Sequence, residues 1–173
     1  NLRDREIEPM IRRSLTLIRH ELNAAKVKVV TNFAGSLPPC ALDSNKIKQV
    51  FVNLFTNACH AMADGGVLTV STGLRRVPED ETGTGSGKRF QAGDEIVIVE
   101  IADTGTGIPP DQLSRVFDPY FTTNPTGKGT GLGLTVTKTI IDMHGGRLLL
   151  NNGSSGGAVA TVILKTRGEH EKS

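Results

Sequence analysis

The sequence predicts an α/β or α+β sandwich of two layers, with helices on one face of a mixed sheet of about five strands. Three observations carry this. Segments of helical and strand periodicity alternate in the order helix, strand, long helix, several strands, helix, two strands. Clusters of Gly, Pro, Asn and Asp punctuate the joins. The chain's 173 residues, 37% apolar and 22% charged, suffice for one domain with a real core, spanning 1–173.

The elements follow in order. Ile7, Met10, Ile11, Leu15, Ile18 and Leu22 recur at helical spacing, predicting an amphipathic helix over roughly 5–25. VKVVTNF (27–33) alternates as a strand does, and SLPPCAL turns into a short extended segment. Asp43 and Ser44 are the N-cap candidates for a helix whose apolar face is Ile47, Val50, Phe51, Leu54, Ala58 and Ala61, stopping at Asp64-Gly65-Gly66. VLTVSTGL (67–74) is a strand. The polar, glycine-rich run over about 76–94 reads as a mobile loop of about 20 residues. EIVIVEIA (95–102) is apolar enough for a central strand. A helix over about 131–144 ends at His144-Gly145-Gly146, and RLLLNN and GAVATVIL form a final hairpin.

Bulk properties exclude several function classes. A net charge of +2 implies no nucleic-acid or anionic-membrane partner, and one Tyr with no Trp leaves little for stacking on bases. Cys40 and Cys59 form no C-x-x-C pair, which argues against structural metal or disulfides and fits a reducing cytoplasm. No apolar run reaches the length of a membrane span. An opening in NLRDREIEP and a charged GEHEKS tail read as a fragment of a longer protein, cytoplasmic or membrane-anchored.

Three constellations carry chemistry. Asn53 and Asn57 stand one helical turn apart beside the apolar stripe. A carboxamide oxygen is a hard, neutral ligand suited to Mg²⁺, which takes one or two protein ligands plus phosphates and water; alternatively, both Asn face solvent or bond locally. Asp103 opens Asp-Thr-Gly-Thr-Gly-Ile108 at the end of the central strand, an edge where α/β sheets bind ligands. An ionised Asp only accepts, so it would select an amino group such as that of adenine; the plain alternative is a turn. Gly127, Gly129, Gly131 and Gly133 precede the last long helix, an arrangement that offers backbone N–H groups to phosphate. Leu132 breaks the dinucleotide spacing there, and Thr82 and Arg89 spoil a P-loop around Gly87-Lys88. A linker is the alternative, but Leu134, Val136, Ile140 and Ile141 make the stretch the start of a packed helix.

In this order the motifs resemble the ATP-binding domain of sensor histidine kinases, whose fold is shared with DNA gyrase, MutL and a large heat-shock chaperone (the GHKL group). Asn53-Leu-Phe-Thr-Asn57 resembles the N box, Asp103-Thr-Gly-Thr-Gly the G1 box, Phe117-Asp-Pro-Tyr-Phe-Thr-Thr123 the F box, and Gly127-Lys-Gly-Thr-Gly-Leu-Gly-Leu134 the G2 box. The likeness covers about residues 7–165 and is nearest to the nitrogen-regulation type. It implies a two-layer GHKL-type fold and Mg²⁺ on Asn57, with Asn53 assisting at the phosphates as the second catalytic residue. Adenine would lie on Asp103, lined by Gly105 and Gly107. A lid over about 109–130 would carry Lys128, with N–H groups of Gly129, Gly131 and Gly133 on the phosphates. Ile108, Ala61, His60, Phe117, Thr122, Thr123, Thr130, Leu132 and Thr161 complete the implied ATP site.

The implied activity is transfer of the γ-phosphate of ATP, leaving ADP, to a histidine on a separate dimerisation hairpin, and onward to a response-regulator aspartate. Hydrolysing relatives carry a Glu where Asn53 stands, and an amide cannot act as general base. An anti-sigma-type serine kinase of the same fold and a non-catalytic nucleotide-sensing module are the alternatives. Several positions depart from the pattern: Asn124 replaces a frequent Lys, His60 a frequent Lys or Gln, and Ala158 and Ala160 a frequent Thr and Phe. His20 in Arg19-His-Glu-Leu-Asn23 imitates a phosphoacceptor box, but Asn57 follows it too soon and its helix fits the domain's own first helix. The fragment is thus expected to lack a phosphoacceptor, and the isolated domain to be monomeric.

Overall fold

The computed structural model describes residues 1–79, 89–118, 133–154 and 156–168. Seven strands run in chain order: β1 (Arg3–Arg5), β2 (Val27–Asn32), β3 (Cys40–Leu42), β4 (Gly66–Arg76), β5 (Glu95–Ala102), β6 (Arg147–Asn152) and β7 (Ala158–Lys165). The α-helices are α1 (Ile7–Leu17), α2 (Arg19–Ala24), α3 (Ser44–Ala61) and α4 (Gly133–Met143), with a 3-10 turn at Leu113–Arg115.

The five-stranded sheet has the order β2-β4-β5-β7-β6, parallel only between β2 and β4, so it is mixed and β5 is central. Alternation fixes its faces. Leu68 and Val70, Val97, Val99 and Ile101, and Ala160, Val162 and Leu164 all turn into one buried core with the helices. Glu100, between two of them, is exposed. The apolar stripe of α3 supplies the other half of that core, where Phe51 and Phe55 stack with centroids 5.9 Å apart. The helix starts where expected, because the Asp43 carboxylate accepts hydrogen bonds from Asn45 N (3.1 Å) and Lys46 N (3.2 Å).

Two elements differ from the periodicity. The first helix breaks at Ile18, whose backbone leaves the helical region (φ −106°, ψ 17°). Ile18, at the break, and Leu22, in α2, stay buried, while His20 is exposed. Strand β1 has no apolar alternation and carries only charged, exposed residues. It forms by backbone pairing with β3 (Arg3 opposite Leu42, Arg5 opposite Cys40) and by the Arg167–Asp4 ion pair at 2.7 Å.

The long loop is shorter than its composition suggests. β4 runs on to Arg76, and Val77 is buried and bonded to Asp94 and Gly93. Residues 80–88 lie outside the described residues. Arg89 donates to Asp142 and to the carbonyl of Gly146 (2.6 Å), tying the loop to the end of α4. Burial works to raise the Asp142 carboxyl, but hydrogen bonds from Lys138 and Arg89 outweigh it and hold the pKa low. Near that end His144 Nδ1 donates to Ile140 O (2.7 Å), so Nε2 is free to accept from Asp43 N (3.0 Å). This fastens the end of α4 to the start of α3.

Both cysteines are free and buried, and burial pushes the Cys40 thiol up to about 12. A thiol reagent is therefore expected to leave Cys40 unlabelled in the native chain and to label it in urea. The sign of the pH effect follows from the ordinary thiol pKa of about 8.5 in the unfolded chain. Between that value and pH 12 the unfolded state sheds a proton that the folded state keeps. The contribution to stability is whole below the window and is lost as pH rises through it, which urea melts at stepped alkaline pH will read. No helix among the described residues is long and apolar enough to cross a membrane.

Candidate functional site

Strand parity places Asp103 on the same face as Val97, Val99 and Ile101, so its carboxylate turns toward the helices. The residue is 7% exposed. Its Oδ1 accepts from Gly105 N (2.9 Å) and Ala158 N (3.1 Å), while its own N–H donates to Ala158 O (3.0 Å). No described residue bonds Oδ2, and no buried side-chain oxygen among the described residues lacks a partner. Oδ2 therefore keeps the accessible surface that remains to this residue. One oxygen is fastened, and the other is an oriented acceptor.

Gly157 sits so close that a Cβ would overlap the Asp103 carbonyl and stand 2.7 Å from Oδ1. From Asp103 the chain passes under the last turn of α3. Thr104 Oγ1 accepts from Val67 N (3.0 Å), Gly105 packs on the Ala61 carbonyl, and Thr106 N donates to that carbonyl (3.4 Å). Gly107 then takes φ +71°, where a Cβ would meet Gly156 O at 2.6 Å, so only glycine suits the bend. Ile108, half-buried, is gripped by Asn152: its N–H donates to Oδ1 and its C=O accepts from Nδ2, both at 2.7 Å.

The asparagines lie along one face of α3 with Ala61, at spacings of one turn. At one end Asn53, half-buried, donates through Nδ2 to Gly133 O (3.5 Å) and Thr137 Oγ1 (3.4 Å), long bonds onto the first turn of α4. Buried Thr137 in turn donates to Gly133 O (2.7 Å). At the other end Ala61 meets the Asp103 loop. Asn57 lies between them, exposed and without a hydrogen bond among the described residues; His60 is exposed too. From Asn53 to Ala61 this rail is about 12 Å long at 1.5 Å rise per residue. It joins an oriented acceptor to a helix N-terminus, a distance a nucleotide can bridge.

The structure thus sets Asn53, Asn57 and Ala61 along one face of α3, with Gly133 against Asn53 at one end and the loop of Asp103, Gly105, Gly107 and Ile108 against Ala61 at the other. Phe117 is half-buried against the core, and its carbonyl accepts from Thr135 Oγ1 (2.9 Å), so it secures α4. Thr122, Thr123, Lys128, Gly129, Thr130, Gly131 and Leu132 lie outside the described residues, as do Asn124 and most of the stretch expected to form a lid. Thr161 is a correction. In β7 it pairs with Glu100 and Leu149, whereas Ala160 and Val162 turn into the core. The period of two therefore puts its hydroxyl on the opposite sheet face from Asp103. Sequence reasoning missed Asn152, Gly157 and Thr137. The first two lie in NNGSSGG, where turn composition hides pairings with a loop far away in sequence.

Residues 42–168 match the family described as histidine kinase-, DNA gyrase B-, and HSP90-like ATPase. Over 158 residues the chain is 34% identical to sensor histidine kinase ZraS of Salmonella typhi, covering 91% of this chain and 30% of that protein. It is 34% identical to sensor kinase CckA of Brucella abortus, covering 87% of this chain and 16% of that one. The chain thus spans less than a third of these two relatives. Among solved structures, the catalytic domain of histidine kinase ThkA superposes with a TM-score of 0.75 at 23% identity, over 96% of each chain. The chain belongs to the histidine kinase-, DNA gyrase B- and HSP90-like ATPase family, as a nucleotide-binding catalytic domain of the histidine-kinase type.

Proposed function

We propose that the cleft binds MgATP with adenine on Asp103 and the phosphates toward the start of α4. The γ-phosphate then passes to a histidine on a separate helical hairpin, and from there to a response-regulator aspartate. The observation that carries this reading is the α3 rail, which meets the Asp103 loop at Ala61 and the first turn of α4 at Asn53.

Asp103 Oδ2 accepts from the adenine amino group, and the two N–H groups on Oδ1 keep it from turning away. The N-terminus of α4 offers its positive end and free N–H groups to the phosphates. Residues of about 109–130 close over the nucleotide, with Lys128 and the N–H groups of Gly129, Gly131 and Gly133 on the phosphates. The exposed amide oxygen of Asn57 suits Mg²⁺, which supplies charge compensation on the phosphates when bound. Asn53 cannot take a proton from water, and its NH₂ is committed to α4. The site therefore spares ATP from hydrolysis until the acceptor arrives; positioning and charge compensation suffice for phosphoryl transfer. Histidine kinase ThkA is known in complex with response regulator protein TrrA, which supports a response regulator as the downstream partner. The domain acts in the cytoplasm, as a monomeric unit tethered to the dimerising hairpin.

The test is labelled ATP mixed with this chain and the parent protein's own hairpin. An acid-labile phosphate on the hairpin is expected. An acid-stable phosphoserine would mean a serine kinase of the same fold, and no label on any acceptor would mean a nucleotide-sensing module. For the metal, Asn57→Ala is expected to weaken MgATP binding about tenfold, the loss of one ligand to a charged group. In calorimetry the variant should bind ATP equally with and without EDTA; an Mg²⁺ dependence equal to that of the parent chain would remove Asn57 from the metal site.

A further inference from the structure

We infer that Asn152 is a positioning residue for the nucleotide, acting through the backbone of Ile108; this rests on the MgATP reading above. The Asn152 carboxamide presents a donor and an acceptor side by side, and both are used on one residue, at 2.7 Å each. The match fixes the orientation of the amide, because turning it over would set NH₂ against N–H and O against C=O. Ile108 is where such a grip has to act. The next two residues are Pro109 and Pro110, which have no N–H. The Ile108 N–H is thus the last backbone donor before the chain enters the stretch expected to cover the nucleotide.

The same hairpin end holds the other side of the loop. Asn152 is in register with Ala158, whose N–H fastens Asp103, and Gly156 O lies against Gly107. Loop 103–108 is therefore pinned at both ends by one β6–β7 turn, with the left-handed bend at Gly107 between the pins. The anchor at Asp103 aims the carboxylate. The anchor at Ile108 sets the direction of Gly107–Ile108, the edge along which an adenine on Asp103 would lie. Asn152 thus serves the base end of the nucleotide rather than the phosphates.

The experiment uses the 173-residue chain with MgADP and adenosine as separate probes. Hydrogen exchange at the Ile108 amide and thermal melting accompany the titrations. Asn152→Leu is expected to speed Ile108 exchange and to weaken MgADP and adenosine by the same factor, about tenfold for two lost hydrogen bonds. Asn152→Asp keeps the acceptor for the Ile108 N–H and loses the donor, so exchange stays slow and affinity falls about threefold. If Asn152→Leu fails to fold, the Asp variant decides alone, on that threefold loss at a temperature where it is fully folded. Binding within twofold of the parent chain for both probes would overturn the inference, as would a loss confined to MgADP. A parent chain that binds neither probe would overturn the MgATP reading and this inference with it.

Discussion

Asp103→Asn is expected to abolish nucleotide binding and to leave the fold intact. The two effects separate because the two carboxylate oxygens do different work. Oδ1 accepts from Gly105 N and Ala158 N, and an amide oxygen can do the same. Turning the amide over would set NH₂ against two N–H donors, so the structure holds the oxygen there and points NH₂ into the cleft. At the ligand position an acceptor has become a donor, facing the donor amino group of adenine. A site built to hydrogen-bond its ligand discriminates strongly when a partner is mismatched. Binding of MgADP should fall at least about 100-fold, with the urea midpoint nearly unchanged. Asp103→Leu serves as the contrast. It strands both N–H groups, each at a cost of about 1–3 kcal/mol if they stay dry, and should lower stability and binding together. Equal MgADP affinity in the Asn variant and the parent chain would remove Asp103 from the base site.

The second large effect is expected from Gly157→Ala, one methyl group at a position with no room for it. The added Cβ would overlap the carbonyl of Asp103, a backbone atom that no rotamer change can move. Relief requires the start of β7 to part from the end of β5. That parting breaks Asp103 N to Ala158 O and Ala158 N to Asp103 Oδ1. Overpacking of this kind costs about 2 kcal/mol, or about 4–8 °C of melting temperature for a chain this long. Because the strained contact lies on Asp103, the proposed base anchor, MgADP affinity should drop at least about tenfold at temperatures where the variant is fully folded. Gly73→Ala is the control: its Cβ would meet nothing within 4 Å, and its stability should stay within about 0.5 kcal/mol of the parent chain. Equal melting and binding in Gly157→Ala and the control would show that the β5–β7 junction yields freely.

Legibility differed from element to element for physical reasons. β5 was readable because a strand buried at the centre of a sheet keeps its apolar run, and α3 because Asp43 announces its start and an apolar stripe its face. β1 was unreadable because three charged residues carry no period; pairing with β3 makes it a strand. The asparagine pair and Asp103 stood out by their place on one helix face and at one strand end, but spacing left them open to local bonding or a plain turn, and only the resemblance gave them roles at a nucleotide. Thr161 went astray because a hydroxyl in a strand says nothing until the register fixes which face it takes.

The sequence by itself determined the alternation of helices and strands, the apolar faces that build the core, and the order of the four boxes. The first two are set by period and composition along the chain, and the boxes are carried by the motif residues of the resemblance. The tertiary structure alone decided which oxygen of Asp103 is tied and which is open, that Asn53 spends its NH₂ on α4, and that one hairpin turn grips loop 103–108 at both ends. The deciding contacts join residues 44, 55 and 80 positions apart, and chain-local propensities carry no term for such pairs. They form only when the sheet order β2-β4-β5-β7-β6 brings the ends of β5, β6 and β7 together.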